Sequence, residues 1–81
     1  MAKYHDFRVY KRDFLEIRKR NKKCELRPSE DYSVGDTICF HETENGFYTG
    51  RKLEAKITHI TEFRAEGTTW ALMSFKEGNN K

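Results

Sequence analysis

The sequence predicts an α+β domain: a small, partly closed β-barrel of about five strands with one N-terminal helix packed over it. Three observations lead there. Most of the chain alternates polar and apolar residues in twos, the strand period. One stretch near the N-terminus changes to a spacing of three. Tight-turn dipeptides separate the alternating runs. Long bent strands with tight turns leave exposed edges unless the sheet curls towards closure, which favours a barrel over a flat sheet.

The elements follow in order. "KYHDFRVY" sets Tyr4, Asp6, Arg8 and Tyr10 against His5, Phe7 and Val9, a short first strand. "KRDFLEIRKRN" carries Phe14 and Ile17 three apart, with Tyr10 a turn earlier. That predicts a helix over 11–21 of about three turns, with Asn21 as its left-handed cap. Lys23 to Arg27 returns to alternation, and Pro28 ends that strand because it has no amide proton for a ladder. In this strand Cys24 and Leu26 are expected to face the core, leaving Lys23, Glu25 and Arg27 towards a cleft.

"SVGD" makes a turn into "TICFH", where Ile38 and Phe40 are the better inward pair. Asn45-Gly46 is a strong hairpin signal. "LEAKITHITEF" places Leu53, Ala55 and Ile57 on one face, then slips in phase to Ile60, as a bulge or bend would make it do. "RAEGTT" turns the chain into "WALMSF", read as a strand covered on both sides.

Size bounds the rest. With 81 residues the chain holds one domain, 1–81, with a core over about 4–76 and a flexible tail at 77–81. Such a chain buries only roughly 60–65% of its unfolded surface, so the core is small. Six Phe, four Tyr and one Trp supply enough aromatic bulk for it. The first twenty residues show neither a leader-like apolar run nor a membrane span. Cys24 and Cys39 have no C-x-x-C spacing and sit in alternating segments, so both are expected to be reduced, buried thiols of a cytoplasmic protein.

Net charge is +3, but it is unevenly spread. Residues 1–27 hold ten Lys or Arg against four Asp or Glu, and residues 28–81 hold six against nine. The local positive field suits RNA, a nucleotide or an acidic protein surface as partner. Arg8, Arg20, Lys22, Lys23 and Arg27 are the candidate contacts, with Glu25 either accepting from an exocyclic amine or holding Arg27 in place. Phe47 and Tyr48, beside the hairpin tip, are the better stacking candidates, whereas Trp70 reads as core. His5, His41 and His59 show no metal-ligand spacing, and no phosphate-loop or nucleophile-elbow motif is present, so no metal, cofactor or catalytic residue is assigned.

From "KKCELR" the chain resembles a known family. Lys22, Glu25 and Arg27 fall on the charged positions of the pattern G-x-K-x-x-E-x-R after a short helix, followed by a V-G-D turn; Arg20 stands at the Gly position. This is similar to the ASCH domains, the activating-signal-cointegrator homology group of the PUA-like barrels. "SVGDTICF", "GFYTGRKLEAKITHI" and "WALMSF" extend the likeness over roughly residues 4–76. The resemblance implies a PUA-like barrel with a cleft beside the motif strand that binds RNA or a nucleotide-like ligand. Some ASCH proteins are amidohydrolases acting on N4-acetylcytidine through a Lys, a Thr and a Glu. Lys22 matches that Lys, but Glu25 occupies the Thr position, and a carboxylate does not reproduce an amine-activated hydroxyl. A binding module is therefore expected ahead of a small amidohydrolase, with a protein adaptor using the basic helix as a third class.

Overall fold

The computed structural model describes residues 2–77. Its elements run β1 (Tyr4–Tyr10), α1 (Lys11–Arg18), β2 (Cys24–Pro28), β3 (Thr37–Glu44), β4 (Phe47–Ala65) and β5 (Thr68–Glu77). All five strands join one sheet in the order β1-β3-β4-β5-β2. β1 lies parallel to β3, and the other three pairings are antiparallel. The sheet curls into a half-barrel: Arg27 on one edge strand reaches the backbone of Arg8 on the opposite edge strand. The expected barrel with a helix holds at this level; of the expected tail at 77–81, Glu77 belongs to β5 and the rest lies outside the described residues.

Turn chemistry fixes the long hairpins. Asn45 and Gly46 both take positive φ, 53° and 85°, the tight turn whose twist matches the flanking strands. The expected phase slip in β4 is a register shift between Ile57 and His59, which brings Ile60 opposite Met73. A second irregularity lies between His41 and Thr43.

Helix α1 is shorter than expected, eight residues in place of eleven. Phe14 and Ile17, each 1% exposed, anchor it on the concave face of the sheet. Tyr10 leaves the stripe: it ends β1, flanks the helix start and is exposed. The left-handed residue at the helix exit is Arg20, φ 67°, one position before the expected Asn21. That conformation is the one a Gly supplies without strain.

The core fills the concavity, with Ile38, Phe40, Ala55, Ile57, Ala71 and Met73 at its centre. β5 is covered on one side only: Ala71, Met73 and Phe75 are buried, whereas Leu72 is exposed. Trp70 is half-buried on the Leu72 side and does not belong to the core.

Candidate functional site

Strand β2 decides the site, and its phase is the reverse of the expected one. Cys24 and Leu26 are exposed, while Glu25 is buried at 7% and Arg27 is half-buried. The reason is register. Glu25 lies opposite Met73 and Arg27 opposite Ala71, both buried, whereas Leu26 lies opposite the outward Leu72. Alternation separates two faces of a strand, but the partner strand determines which one points inward. The cysteine expectation fails at Cys24 for the same reason and holds at Cys39, which is fully buried.

The inward face of β2 is therefore polar, and it fronts the seam between the two edge strands. Arg27 Nε donates to Glu25 Oε2 at 2.7 Å, and Arg27 Nη2 donates to the Arg8 carbonyl oxygen at 3.1 Å. The guanidinium carbon lies 4.2 Å from the centre of the Phe7 ring, a cation–π contact that fixes its plane. Lys22 Nζ approaches Glu25 Oε1 to 3.2 Å and Asp13 to 3.9 Å. Glu25 Oε1 nevertheless has no aligned hydrogen-bond donor, although it is buried.

An open cleft of about 410 Å³ spans the seam, lined by Arg8, Val9, Tyr10, Asp13, Glu25, Arg27, Thr43 and Gly46. A second, smaller groove of about 260 Å³ runs past the helix exit, with Ile17 and Phe75 among its lining residues and Arg20, Lys22, Lys23 and Lys76 as its cations. Arg20 is paired there with Glu77 at 3.4 Å. The fold thus joins Glu25, Arg27 and Arg8 in one cleft and puts Arg20 and Lys23 in its neighbour. Lys22 lines the smaller groove and reaches back to Glu25.

Tyr48 is not part of either lining. It is exposed on the β3–β4 hairpin with its ring against His41 at 5.7 Å. The hairpin tip itself reaches the cleft through Gly46, but the Tyr48 side chain packs on His41 and does not line it. Asp13 and Thr43 were missed. Asp13 flanks the buried Phe14 in the helix, and a carboxylate at the border of an apolar stripe was the one available signal. Thr43 donates its hydroxyl to the Val9 carbonyl at 3.0 Å, a contact that depends on the β1–β3 pairing.

A family model described as "Domain of unknown function (DUF3850)" matches residues 4–75. The chain belongs to the DUF3850 family. A relative from Escherichia phage P2, "Uncharacterized 12.9 kDa protein in GpA 3'region", is 38% identical over 63 residues, 76% of this chain. The chain spans 58% of that relative's length. The match over residues 4–75 takes in every strand and helix that builds the seam cleft except the last residues of β5. No described helix is long and apolar enough to cross a membrane.

Proposed function

We propose that this DUF3850 chain is an RNA- or nucleotide-binding module of the ASCH, PUA-like type, with the seam cleft as its binding site. The observation that carries the reading is the Arg27–Glu25 pair in the wall of an open cleft: the guanidinium holds Glu25 Oε2, and Glu25 Oε1 has the Lys22 ammonium at 3.2 Å but no aligned donor. An exocyclic amino group of cytosine or adenine would take the place of the Lys22 contact, because a carboxylate accepts from such a group.

The surroundings suit the rest of a nucleotide. Arg27 uses two of its five N–H donors on Glu25 and Arg8, which leaves donors for a phosphate or a base edge. Arg8 and Tyr10 border the opening, and about 410 Å³ lies within the usual size of a small-ligand site. The adjoining groove with Arg20, Lys22, Lys23 and Lys76 offers a path for a phosphate backbone leaving the cleft. Two free cysteines fit a reducing, cytoplasmic setting.

A binding screen of single-stranded RNA, tRNA and free nucleosides at two salt concentrations tests the reading. Affinity for single strands should fall with salt by a slope of about 0.7 per phosphate contact. Arg8→Ala should weaken binding more than Arg18→Ala, since Arg8 lines the cleft and Arg18 is an exposed helix residue outside it. Equal losses would indicate diffuse attraction without a site, and no binding at low salt would overturn the proposal. Incubation with N4-acetylcytidine belongs in the same screen: release of cytidine that is lost in Lys22→Ala would make the chain an amidohydrolase.

A further inference from the structure

The outer face of the sheet, away from the seam cleft, carries a second cluster of a different kind. Residues of one strand face recur every second position, so Cys39 and His41 of β3 share a side, and Asp6 of β1 is the direct partner of Cys39 across the parallel ladder. The ligating atoms of Asp6, Cys39 and His41 all lie within 4.8 Å of one another. His41 Nε2 is already 2.8 Å from Asp6 Oδ1. We propose that Asp6, Cys39 and His41 bind one zinc ion, with water in the fourth position.

The chemistry of the set points to that ion. One thiolate, one imidazole and one carboxylate form a borderline-soft group, which suits zinc and does not suit magnesium or calcium. Three protein ligands with an open fourth place are the usual pattern of an exposed or reactive zinc site. Bond lengths of about 2.0–2.3 Å put tetrahedral ligand atoms roughly 3.3–3.7 Å apart, so side-chain shifts of about 1 Å would close the triangle. Such shifts are available at the rim, where the side chain of Asp6 is 64% exposed and that of His41 26% exposed. The thiol supplies a fixed floor, since Cys39 is fully buried.

The surroundings are consistent with a held site. Cys39 occupies the middle of a cross-strand row between Asp6 and Glu54, so a small apolar group sits where two carboxylates flank it. Glu54 accepts a 2.6 Å hydrogen bond from the Tyr4 hydroxyl, which engages it outside the set. The Tyr48 ring packs edge-on to His41 and limits the swing of the imidazole. On binding, the Cys39 thiol gives its proton to solvent, and the His41 ring moves its proton from Nε2, which faces Asp6, to Nδ1 so that Nε2 can take the metal. Affinity should therefore rise with pH.

Calorimetric titration of the full chain with Zn²⁺ alone, and absorption spectra with Co²⁺ in its place, test the assignment. The expected result is one ion per chain and a thiolate-to-Co²⁺ charge-transfer band that survives Cys24→Ser. Asp6→Asn and His41→Gln, both at partly exposed positions, should fold and should each weaken Zn²⁺ binding by at least the roughly 10–100-fold that loss of an outer partner costs. Cys39→Ser should abolish the band, with far-ultraviolet dichroism reporting whether the buried substitution still folds. Absence of saturable binding, or affinities unchanged in Asp6→Asn and His41→Gln, would overturn the proposal. A charge-transfer band lost in Cys24→Ser would overturn it equally.

Discussion

Arg27 Nη2 donates to the carbonyl oxygen of Arg8 across the seam of the half-barrel, 3.1 Å from a residue nineteen positions earlier. Its Nε holds Glu25 at 2.7 Å in the same plane. A side chain thus links the two edge strands, which are not paired with each other among the described residues, and the second oxygen of the acid it holds lies 3.2 Å from Lys22 Nζ.

Removing that link should cost stability as well as binding. Arg27→Ala leaves a buried carboxylate without its guanidinium, and Arg27 is itself only 28% exposed. A loss of roughly 1–3 kcal/mol is expected in urea unfolding. Combining it with Glu25→Gln should cost clearly less than the two single losses together, because the pair acts as a unit. Strict additivity would mean that the contact carries no coupling.

Phe14→Ala should destabilise the chain by about 3–5 kcal/mol, since the ring is 1% exposed and anchors the two-turn helix on the sheet. The midpoint of a denaturant titration gives the value. A loss under about 1 kcal/mol would place the helix elsewhere.

Asp36 should make stability fall in acid. Burial alone would push its carboxyl up, but hydrogen bonds from His5 and from the Lys3 and Ser33 amides outweigh it and hold the pKa below the ordinary value. A group depressed in the folded state contributes stability above its unfolded pKa, and that contribution disappears as pH falls through the folded one. The wild type should therefore lose stability below the ordinary aspartate range more steeply than Asp36→Asn. That variant should start roughly 1–3 kcal/mol less stable at neutral pH. Parallel pH profiles for the two proteins would contradict this.

Thiol labelling of the native chain should be biphasic. Cys24 is exposed and should react at the rate of a free thiol, whereas the fully buried Cys39 should wait for unfolding or local opening. Cys24→Ser should remove the fast phase alone. A fast phase that persists in Cys24→Ser would reverse the assignment.

Arg20→Gly should stabilise the chain by roughly 0.5–1 kcal/mol. The residue holds φ 67°, a conformation that a side chain pays for and glycine does not, and its exposed pair with Glu77 contributes little. Thermal unfolding of the two proteins side by side checks the sign.

The sequence by itself determined the local structure: the alternation in β1, the Phe14–Ile17 stripe, the Asn45-Gly46 turn and the phase slip after Ile57. These are short-range properties, set by backbone sterics and by the two periods of side-chain direction. It also grouped Glu25 and Arg27 on one side of a strand. Only the tertiary structure decided that this side is the inward one, because the sign of an alternating strand comes from its partner. Glu25 lies against Met73 and Leu26 against Leu72, and that pairing spans nearly fifty residues of chain. The same holds for Tyr48, whose ring packs on His41 although its hairpin reaches the cleft, and for Asp6, Cys39 and His41, which no linear spacing marks as a group. Local periodicity says which residues travel together, and the curl of the sheet decides what they meet.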